Sequence, residues 1–486
     1  MINPSIADGP SLGRGRRVGI VATMALALTL STMSLTVAFV SLRQIAESLG
    51  TSIAWAGWTV TAYQLAQSVS MALMGKLGEQ LGRRRLFLIA CVALLAGNIG
   101  AAWAPTIGVH ILMRTIAALG AGSFLPLSVG IVSRHFPRQR TMLVGSFFIF
   151  FPLGWLIGAP TAGAIIDAVA WRWVFFMPVP FAALALAMAL LFIPESKGET
   201  RHRIDLRGVA LFTSTIIAFM LALSLMRGDY GLPAYAPFLL LVGALPLGFW
   251  FWGTEHRVEE PVVDPALIKS KPLIAANLFN FCFSAVGFAT SSLVPLYSVE
   301  AFGFSNSASG AVLIGLETAV VTGAMVTSFV LLGRFSNRSL MFVGALLLSS
   351  SLLMMGSGVG DVRIAGVAVS AFWVLTAIQI PSGIGFGLMM APSANSGTDL
   401  FPGKLASIVG LRNMFRQAGG VVLATLMFFY LAGASDWVQG VRFLFLLTGA
   451  AMIPVGFLAL LTPGSAARRA SASAASASER PNPARQ

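Results

Sequence analysis

Long apolar stretches separated by short polar segments dominate this chain of 486 residues. Many of the stretches reach about 20 residues, the length that an α-helix needs to cross roughly 30 Å of hydrocarbon. The pattern therefore predicts an all-α integral membrane protein with fourteen transmembrane helices, numbered here as spans one to fourteen. We place the spans at 18–40, 53–75, 86–104, 106–133, 141–167, 171–194, 208–227, 234–253, 273–297, 309–332, 339–358, 365–394, 405–432 and 441–462.

The composition favours a membrane protein over a soluble one. Hydrophobic residues make up 56% of the chain and charged residues only 10%, whereas soluble proteins normally carry about a quarter charged residues. The net charge of +14 would suggest a nucleic-acid partner in a soluble protein. Here no polar segment is long enough to form a separate nucleic-acid-binding domain, so we expect a lipid bilayer and no nucleic acid as partner.

The distribution of lysine and arginine predicts an orientation. Alternate polar segments place 24 of the 32 basic residues on one side of the membrane and five on the other. Short cytoplasmic loops collect lysine and arginine, so both termini are predicted to be cytoplasmic. Residues 1–17 form the cytoplasmic N-terminus, and the Ala-, Ser- and Arg-rich tail 463–486 is expected to be disordered.

Charged residues and glycines concentrate between spans two and three, in the segment "GKLGEQLGRRR". Its glycines permit tight backbone turns, and a single acid precedes a basic cluster. The segment resembles the signature loop of the major facilitator superfamily, and the resemblance implies a conformational-switch loop. Its candidate residues are Gly75, Gly78, Glu79, Gly82, Arg83 and Arg84.

A weaker copy of this loop, "GRFSNRS", follows span ten on the same predicted side. The two halves of that superfamily are parallel repeats, so the copy implies two six-helix halves, 18–194 and 273–462. Residues 195–272 then hold an inserted helix pair, spans seven and eight, with their flanking loops. The candidate residues of the second loop are Gly333, Asn337 and Arg338.

Two further stretches narrow the resemblance to one family. Residues 154–180, "GWLIGAPTAGAIIDAVAWRWVFFMPVP", are similar to the antiporter motif of the 14-helix drug:proton antiporters, and residues 383–426 are similar to another segment of that family. The resemblance implies that the motif lies between the halves and limits proton leak, with helix packing alone as the alternative. Its candidate residues are Gly154, Gly158, Pro160 and Gly163.

Four ionisable side chains lie inside the spans, where a charge costs roughly 2.5–3.5 kcal/mol on insertion scales. Glu317 in span ten is the acid among them, and burial favours its protonated form, so it is a candidate proton-coupling residue. The alternative is an ion pair with an intramembrane arginine. Arg114 in span four matches a superfamily segment that is linked to proton transfer; the alternative is a structural arginine bonded to backbone carbonyls.

The remaining two intramembrane arginines lie four residues apart on one face of span thirteen, together with Asn413. Arg416 fits the family pattern, whereas Arg412 departs from it and is the better specificity candidate. Ser34 in span one occupies a position where the family usually has an acid. Ser34, Arg412, Asn413 and Arg416 are therefore candidate substrate-cavity residues, and their positive charge predicts a cavity that disfavours simple lipophilic cations.

Other polar and aromatic residues carry simpler expectations. Trp171 and Trp173 are predicted to lie in an interfacial belt, and His110 is predicted at the solvated surface. Cys91 and Cys282 lie within apolar runs and are expected to pack there. No motif for a cofactor or a metal is present in the sequence, so we expect neither.

Together these features predict a secondary active exporter of amphipathic small molecules, drug-like or endogenous, that works by alternating access in exchange for protons and is not an enzyme. We expect a central cavity lined mainly by spans one, four, nine and twelve, and Glu79 is expected to stabilise the state closed on the cytoplasmic side. A transporter of one metabolite or lipid-like compound, with another coupling ion or none, is the alternative. A sensor that no longer transports is a further alternative. We expect the protein to be a monomer.

Overall fold

The computed structural model describes residues 13–136, 139–195, 206–226, 233, 235–258, 270–332, 334–358, 360, 362–364, 367–398, 405–432 and 434–462. Sixteen α-helices account for nearly all of these residues. The first eight are α1 Arg14–Val40, α2 Leu42–Ser48, α3 Ile53–Leu81, α4 Arg83–Trp103, α5 Ile107–His135, α6 Arg140–Ala168, α7 Trp171–Phe176 and α8 Pro178–Phe192. The others are α9 Leu206–Leu225, α10 Ala236–Glu255, α11 Lys271–Phe302, α12 Asn306–Val326, α13 Asn337–Gly356, α14 Ala371–Thr398, α15 Leu405–Ala432 and α16 Trp437–Leu460.

Helices cover most of each predicted span, with two departures. Span six is divided into α7 and α8 at Met177, because Pro178 has no backbone N–H with which to continue the preceding helix. Span twelve was expected to begin at residue 365, but strands β1 (Val362–Ile364) and β2 (Val367–Val369) form a short antiparallel hairpin there. Valine and isoleucine favour extended backbone, and α14 begins only after this hairpin.

Eleven of the described helical segments are long and apolar enough to cross a membrane, which confirms an all-helical membrane protein. The helices α3, α9 and α15 are outside this set. Amide and guanidinium side chains lie in the interior of two of them, such as Gln64 and Gln67 on α3 and Arg412 and Gln417 on α15. The count of fourteen transmembrane helices stays a prediction.

Polar side chains mark where several helices begin. A serine, threonine or aspartate at the start of each accepts a hydrogen bond from a backbone N–H in the first turn, which would otherwise lack a partner. A capping side chain therefore ends the polar connection and aligns the apolar run that follows. These capping residues are Ser52, Thr106, Ser305, Ser336 and Asp436.

Buried apolar side chains form two main clusters. The first runs from Ile20 to Ile193 and combines helices of α1–α8. The second runs from Phe279 to Ala459 and combines helices of α11–α16, together with Ala159 of α6. Helices α9 and α10 pack on each other, and α9 also contacts α3 and α15. We keep two six-helix halves with an inserted pair as a proposal, which these clusters support.

The two clusters of helices, called the halves below, meet mainly along two helix pairs, α6 with α12 and α3 with α15. Small residues allow the close approach of α6 to α12. A Cβ atom added to Gly310 of α12 would lie only 3.2 Å from the carbonyl oxygen of Ala159. Backbones can therefore approach closely at this seam, as in membrane helix pairs that use small residues at their interface.

Within the first half, α6 lies equally close to α1. A Cβ atom at Gly154 would overlap the Thr32 hydroxyl and the Thr29 carbonyl oxygen, and one at Gly158 would lie 3.2 Å from the Cβ of Thr36. The Thr32 hydroxyl donates a hydrogen bond to the carbonyl oxygen of Phe151, 2.8 Å away. The two glycines of the proposed antiporter motif thus face α1 of their own half.

We expect Gly154→Ala to destabilise the protein, because the added methyl group overpacks the α1–α6 contact, a change that typically costs about 1–3 kcal/mol. The matched control is Gly57→Ala on α3, where an added Cβ atom meets nothing within 4 Å. Alanine also has the better helix propensity, so the control should keep or slightly raise the melting temperature. Thermal unfolding of the purified protein measures both, and an unchanged melting temperature for Gly154→Ala would contradict the close contact.

Candidate functional site

A cavity lies between the two halves, with a volume of about 820 Å³ including the part that is open to solvent. Spans one, nine and twelve line it as expected, through α1, α11 and α14, whereas α5, which corresponds to span four, contributes no residue to the described wall. The wall residues are Thr32, Leu35, Gln67, Met71, Phe151, Pro152, Trp155, Ser284, Gly287, Phe288, Thr290, Ser291, Leu316, Glu317, Val320, Leu348, Ser382, Phe386, Met390, Arg416 and Gln417. Helices α3, α6, α12, α13 and α15 therefore take part, in addition to the predicted ones.

The wall is mostly apolar and aromatic, with a few polar groups. Phe151 and Trp155 come from α6, and the Trp155 ring meets that of Phe288 of α11 edge to face, with centroids 6.2 Å apart. Serine and threonine hydroxyls are interspersed among these rings. An apolar wall with a small number of polar groups is typical of sites that bind organic small molecules.

Glu317 projects from α12 into this cavity and is only 6% exposed. It lies eleven residues after the helix start at Asn306, which corresponds to a depth of about 16 Å along the axis. Among the described residues its carboxyl group forms no hydrogen bond and no ion pair. An ionised carboxylate in such a site has no compensating group among the described residues.

Arg416 reaches the same cavity from α15. Its guanidinium carbon lies 5.5 Å from the centre of the Phe151 ring, and its buried Nε has no hydrogen-bond partner among the described residues. The described side chains include no ion pair between Arg416 and Glu317. The alternative in which Glu317 is held by an intramembrane arginine is therefore not what this structure contains.

An amide pair joins the halves at the cavity wall. The Gln417 side-chain nitrogen of α15 donates a hydrogen bond to the side-chain oxygen of Gln67 on α3, at 3.0 Å. Both side chains are buried. They are separated by 350 positions in the sequence, so nothing in the local pattern could have paired them.

Arg114 is fully buried inside the first half and lies outside the cavity wall. It donates hydrogen bonds to Ser34, at 3.1 Å to the hydroxyl and 2.7 Å to the carbonyl oxygen. The guanidinium carbon also lies 4.2 Å from the centre of the Tyr63 ring. The Ser34 hydroxyl in turn donates to the Asn98 side chain at 3.0 Å. Ser34, predicted as a cavity residue, thus belongs to a buried polar network that joins α1, α3, α4 and α5.

Sequence reasoning missed Asn98 and Tyr63 in this network. Tyr63 is fully buried and donates a hydrogen bond from its hydroxyl to the Ser31 carbonyl oxygen at 3.0 Å. Asn98 is also fully buried, within the apolar helix α4. A polar amide inside an apolar span was the available signal, because such a group needs a hydrogen-bond partner in the protein.

The prediction of a surface position for His110 is wrong. His110 is fully buried, its Nδ1 lies 2.9 Å from the Ala101 carbonyl oxygen, and its ring meets those of Trp171 and Phe175. Trp171 is likewise buried, at 6% exposure, whereas Trp173 is 57% exposed. The reason is that α7 folds over this end of α5, so one of the two tryptophans belongs to the core and not to an interfacial belt.

Arg412 is held inside the second half. It is 4% exposed and donates to both the carbonyl oxygen and the hydroxyl of Ser393 on α14. The side-chain amide of Asn280 on α11 donates to the Arg412 carbonyl oxygen at 2.7 Å. Arg412 is absent from the described cavity wall, and the side chain of Asn413 lies outside the described residues. Of the four predicted cavity residues, Arg416 alone lines the described wall.

The loop between α3 and α4 is built around Gly82, whose φ of +93° favours glycine. Arg83 donates to the Gly130 carbonyl oxygen of α5 at 2.7 Å and lies 3.4 Å from the carboxylate of Glu79, which is about half exposed. Gly78 packs closely against Leu127, where a Cβ atom would come within 2.7 Å. Among the described residues Glu79 makes no contact with α15, whose first side chains lie outside the described residues.

The second loop repeats one contact of the first. Arg84 of α4 donates to the Leu190 carbonyl oxygen at the end of α8, at 2.8 Å, and Arg338 of α13 donates to the Thr462 carbonyl oxygen after α16, at 2.6 Å. Asn337 begins α13 and is half-buried. Gly333 lies outside the described residues. The retained base thus ties each loop to the last helix of its own half.

The other members of the predicted switch and antiporter motifs occupy helical positions. Gly75 lies within α3, Pro160 and Gly163 within α6. Pro160 faces the second half, since its Cα lies 3.6 Å from a Cβ atom added to Gly310. Beyond it, Asp167 at the end of α6 accepts hydrogen bonds from the backbone N–H of Ser307, at 3.2 Å, and from the Ser307 hydroxyl. The halves are therefore linked on the side opposite the α3–α4 loop.

The described part of the chain contains no group of three or more His, Cys, Asp or Glu side chains that could hold a metal ion. Cys91 and Cys282 are both free thiols. The ionisable groups at the cavity wall are Glu317 and Arg416, and they set what the cavity can bind.

Comparison with known proteins matches residues 24–424 to the profile of the Major Facilitator Superfamily. The chain is 26% identical to Multidrug resistance protein 3 of Bacillus subtilis, over 84% of this chain and 78% of that protein. It is also 26% identical to the Tetracenomycin C resistance and export protein of Streptomyces glaucescens, over 87% of this chain and 78% of that protein. A crystal structure of a POT family transporter in complex with a thioalcohol-conjugated peptide has a similar fold, with a TM-score of 0.67, 18% identity, and coverage of 92% of this chain and 96% of that chain.

We expect Ser34→Ala to lower the melting temperature without changing the affinity of ligands for the cavity. The substitution leaves a buried Arg114 N–H without its hydroxyl partner, which typically costs about 1–3 kcal/mol. The matched control is Thr36→Val, because the Thr36 hydroxyl is buried on the same helix and, among the described residues, bonds the Thr32 carbonyl of that helix and no other helix. Thermal unfolding and dye binding of both variants check this, and loss of binding in a stable Ser34→Ala protein would place Ser34 at the cavity after all.

Proposed function

The chain belongs to the Major Facilitator Superfamily, and on that premise we propose that it is a secondary active exporter of amphipathic small molecules in exchange for protons. Drug-like compounds and endogenous amphiphiles are both within this class. The names of the multidrug resistance and antibiotic export proteins to which it is similar support the direction of transport. The observation that carries the proposal is a cavity between two halves that contains one carboxyl group, Glu317, without a described partner.

In this proposal the two halves move around the cavity by alternating access. The α6–α12 and α3–α15 pairs form the seam between them, and the contact of Asp167 with Ser307 closes the seam on the side opposite the α3–α4 loop. Opening toward that side requires this contact to break. The small-residue seam of α6 and α12 would limit leakage of protons while the halves move.

Glu317 is the proposed proton site. A carboxyl group in a low-dielectric cavity releases its proton readily only when water or a positive group stabilises the anion. Opening of the cavity to one side and then to the other changes access of water, so the proton can bind on one side and leave on the other. Arg114 lies outside the wall, and we assign it an indirect part: it fixes α1, whose residues Thr32 and Leu35 line the cavity.

The proposed location is the cell membrane, with both termini in the cytoplasm. The support is the excess of lysine and arginine in the segments on the side of the termini. On this orientation the α3–α4 loop faces the cytoplasm and the Asp167–Ser307 contact faces the outside. We take the protein as a monomer that needs no cofactor and that acts as a transporter, not an enzyme.

Proton-driven uptake into inverted vesicles tests the proposal. We expect Glu317→Gln to abolish accumulation of an amphipathic dye driven by a proton gradient, while exchange of dye at equal concentrations continues, because glutamine mimics the protonated acid but cannot titrate. Glu317→Asp should keep part of the accumulation. Glu300→Gln is the matched control, since Glu300 is exposed near the C-terminal end of α11 and lies away from the described wall.

Wild-type accumulation with an unchanged pH dependence in Glu317→Gln would contradict the assignment of Glu317. Accumulation by the wild-type protein without any proton gradient would instead favour the alternative, a transporter of one compound with another coupling ion or none. The two failures are distinguishable because one concerns the variant and the other the wild-type protein.

We expect Asp167→Asn to shift the protein toward the state that is open on the Asp167 side. The carboxylate of Asp167 lies at the N-terminus of α12, where a negative charge is stabilised by about 0.3–1 kcal/mol, so its neutralisation should change the ratio of states by about two- to fivefold. Spin labels at the exposed positions Ser48 and Ser435, with Cys91 and Cys282 replaced by serine, report the distance between the halves. Asp167→Glu should retain the wild-type distance distribution, and an identical distribution for Asp167→Asn would show that this contact does not hold the seam.

A further inference from the structure

The two charged groups of the cavity wall come from the same half of the protein. Glu317 projects from α12 and Arg416 from α15, and both helices belong to the second cluster of helices. The described wall residues of α1, α3 and α6 are uncharged. They provide the apolar side chains Met71, Phe151 and Trp155 together with the neutral polar ones Thr32 and Gln67. Both charges of the described wall therefore come from one half, whereas the aromatic rings come from both halves.

The net charge of the cavity wall differs from the net charge of all the ionisable residues inside the spans. Three arginines and one acid lie inside the spans, but Arg114 and Arg412 are buried in their own halves and bonded to Ser34 and Ser393. The described wall thus has one acid and one base. When Glu317 is ionised it balances Arg416, and the described wall then lacks the excess of positive charge from which the bias against lipophilic cations was predicted.

Neither charged group is satisfied by the protein itself. Glu317 has no hydrogen bond or ion pair among the described residues, and Arg416 has a buried Nε without a partner and rests on the Phe151 ring. They also form no ion pair with each other among the described contacts. A ligand with a single charge would leave the opposite group unpaired, and a neutral ligand would leave both.

We propose, on the basis of the function proposed above, that the cavity selects zwitterionic amphiphiles: molecules with one cationic and one anionic group attached to an apolar body. The cationic group pairs with the Glu317 carboxylate, and the anionic group pairs with the Arg416 guanidinium. The apolar body lies against Phe151 and Trp155 of α6. Arginine suits this part because its guanidinium binds carboxylate, sulfonate or phosphate groups with two parallel hydrogen bonds.

Four matched compounds test this selectivity. Each has the same phenylbutyl body and bears a trimethylammonium group, a sulfonate, a sulfobetaine or a hydroxyl. Competition against a fluorescent amphiphile, with the full-length protein in nanodiscs at one fixed pH, gives their affinities. We expect the sulfobetaine to bind at least about tenfold more tightly than either singly charged compound, the ratio that corresponds to about 1.4 kcal/mol.

The variants separate the two charged groups. Arg416→Gln should weaken the sulfobetaine and the sulfonate and leave the ammonium compound unchanged, whereas Glu317→Gln should weaken the sulfobetaine and the ammonium compound. Arg416→Lys should keep most of the preference for the sulfonate-bearing compounds, which guards against a glutamine variant that fails to fold. Arg257→Gln is the matched control, because it also removes one positive charge but lies exposed after α10 and outside the described wall, and it should keep the wild-type order.

Equal affinities for all four compounds, or an order that Arg416→Gln leaves unchanged in a folded protein, would overturn the proposal. So would tightest binding of the ammonium compound by the wild-type protein. The binding measurement needs no gradient and no transport. Failure of proton-driven uptake with an intact sulfobetaine preference would therefore refute the proposed function alone.

Discussion

Inside an apolar helix bundle, every permanent charge must find hydrogen-bond acceptors within the protein, because the hydrocarbon around it supplies none. Arg114 and Arg412 meet most of this requirement with backbone carbonyls and serine hydroxyls of neighbouring helices, and only Arg114 Nε and Arg412 Nη1 have no partner among the described residues. Each arginine thereby fixes the positions of its neighbours: Arg114 holds α1 and α3 against α5, and Arg412 holds α14 against α15. Arg114 and Arg412 are therefore bonded inside their own halves and do not line the described cavity. The charged groups at its wall are Glu317 and Arg416, and its chemistry depends on them.

The same requirement explains how far the sequence could be interpreted. The apolar segments and their polar ends predict the helices, since a run of about 20 apolar residues with a capping side chain has few other structures available. The rotation of each helix about its axis is harder to predict. Because α1 and α15 each carry more than one buried polar side chain, the sequence alone could not show that Ser34 and Arg412 turn away from the cavity while Arg416 turns toward it.

Residue positions that depend on contacts between distant parts of the chain could also not be predicted from the sequence. His110 looks like a surface residue from its place near a helix end, and its burial follows from the way α7 packs over α5, which no local pattern encodes. Gln67 and Gln417 meet only because two helices from different halves cross beside the cavity. By contrast, the φ of Gly82 could be expected from the glycine-rich loop itself, since the turn between α3 and α4 needs a conformation that other residues rarely adopt.

The weak second loop illustrates which part of a repeated motif is retained for structural reasons. Arg84 and Arg338 occupy the same place after their loops, and each donates to a carbonyl oxygen at the end of the last helix of its half. This contact satisfies a carbonyl that has no partner within its own helix. Asn337, the residue before Arg338, is uncharged, so the second loop keeps an anchoring base but has no described counterpart of the Glu79–Arg83 ion pair.

The amide pair of Gln67 and Gln417 has a consequence for the speed of movement. A neutral hydrogen bond contributes only about 0.5–1.5 kcal/mol to stability, whereas leaving one charge of a buried ion pair without its partner costs about 3–5 kcal/mol. The amides can exchange each other for water as the helices part, and no bare charge is exposed at any stage. The hydrogen bond between the halves at the cavity can therefore break at low cost, and it contributes little to the barrier of each cycle.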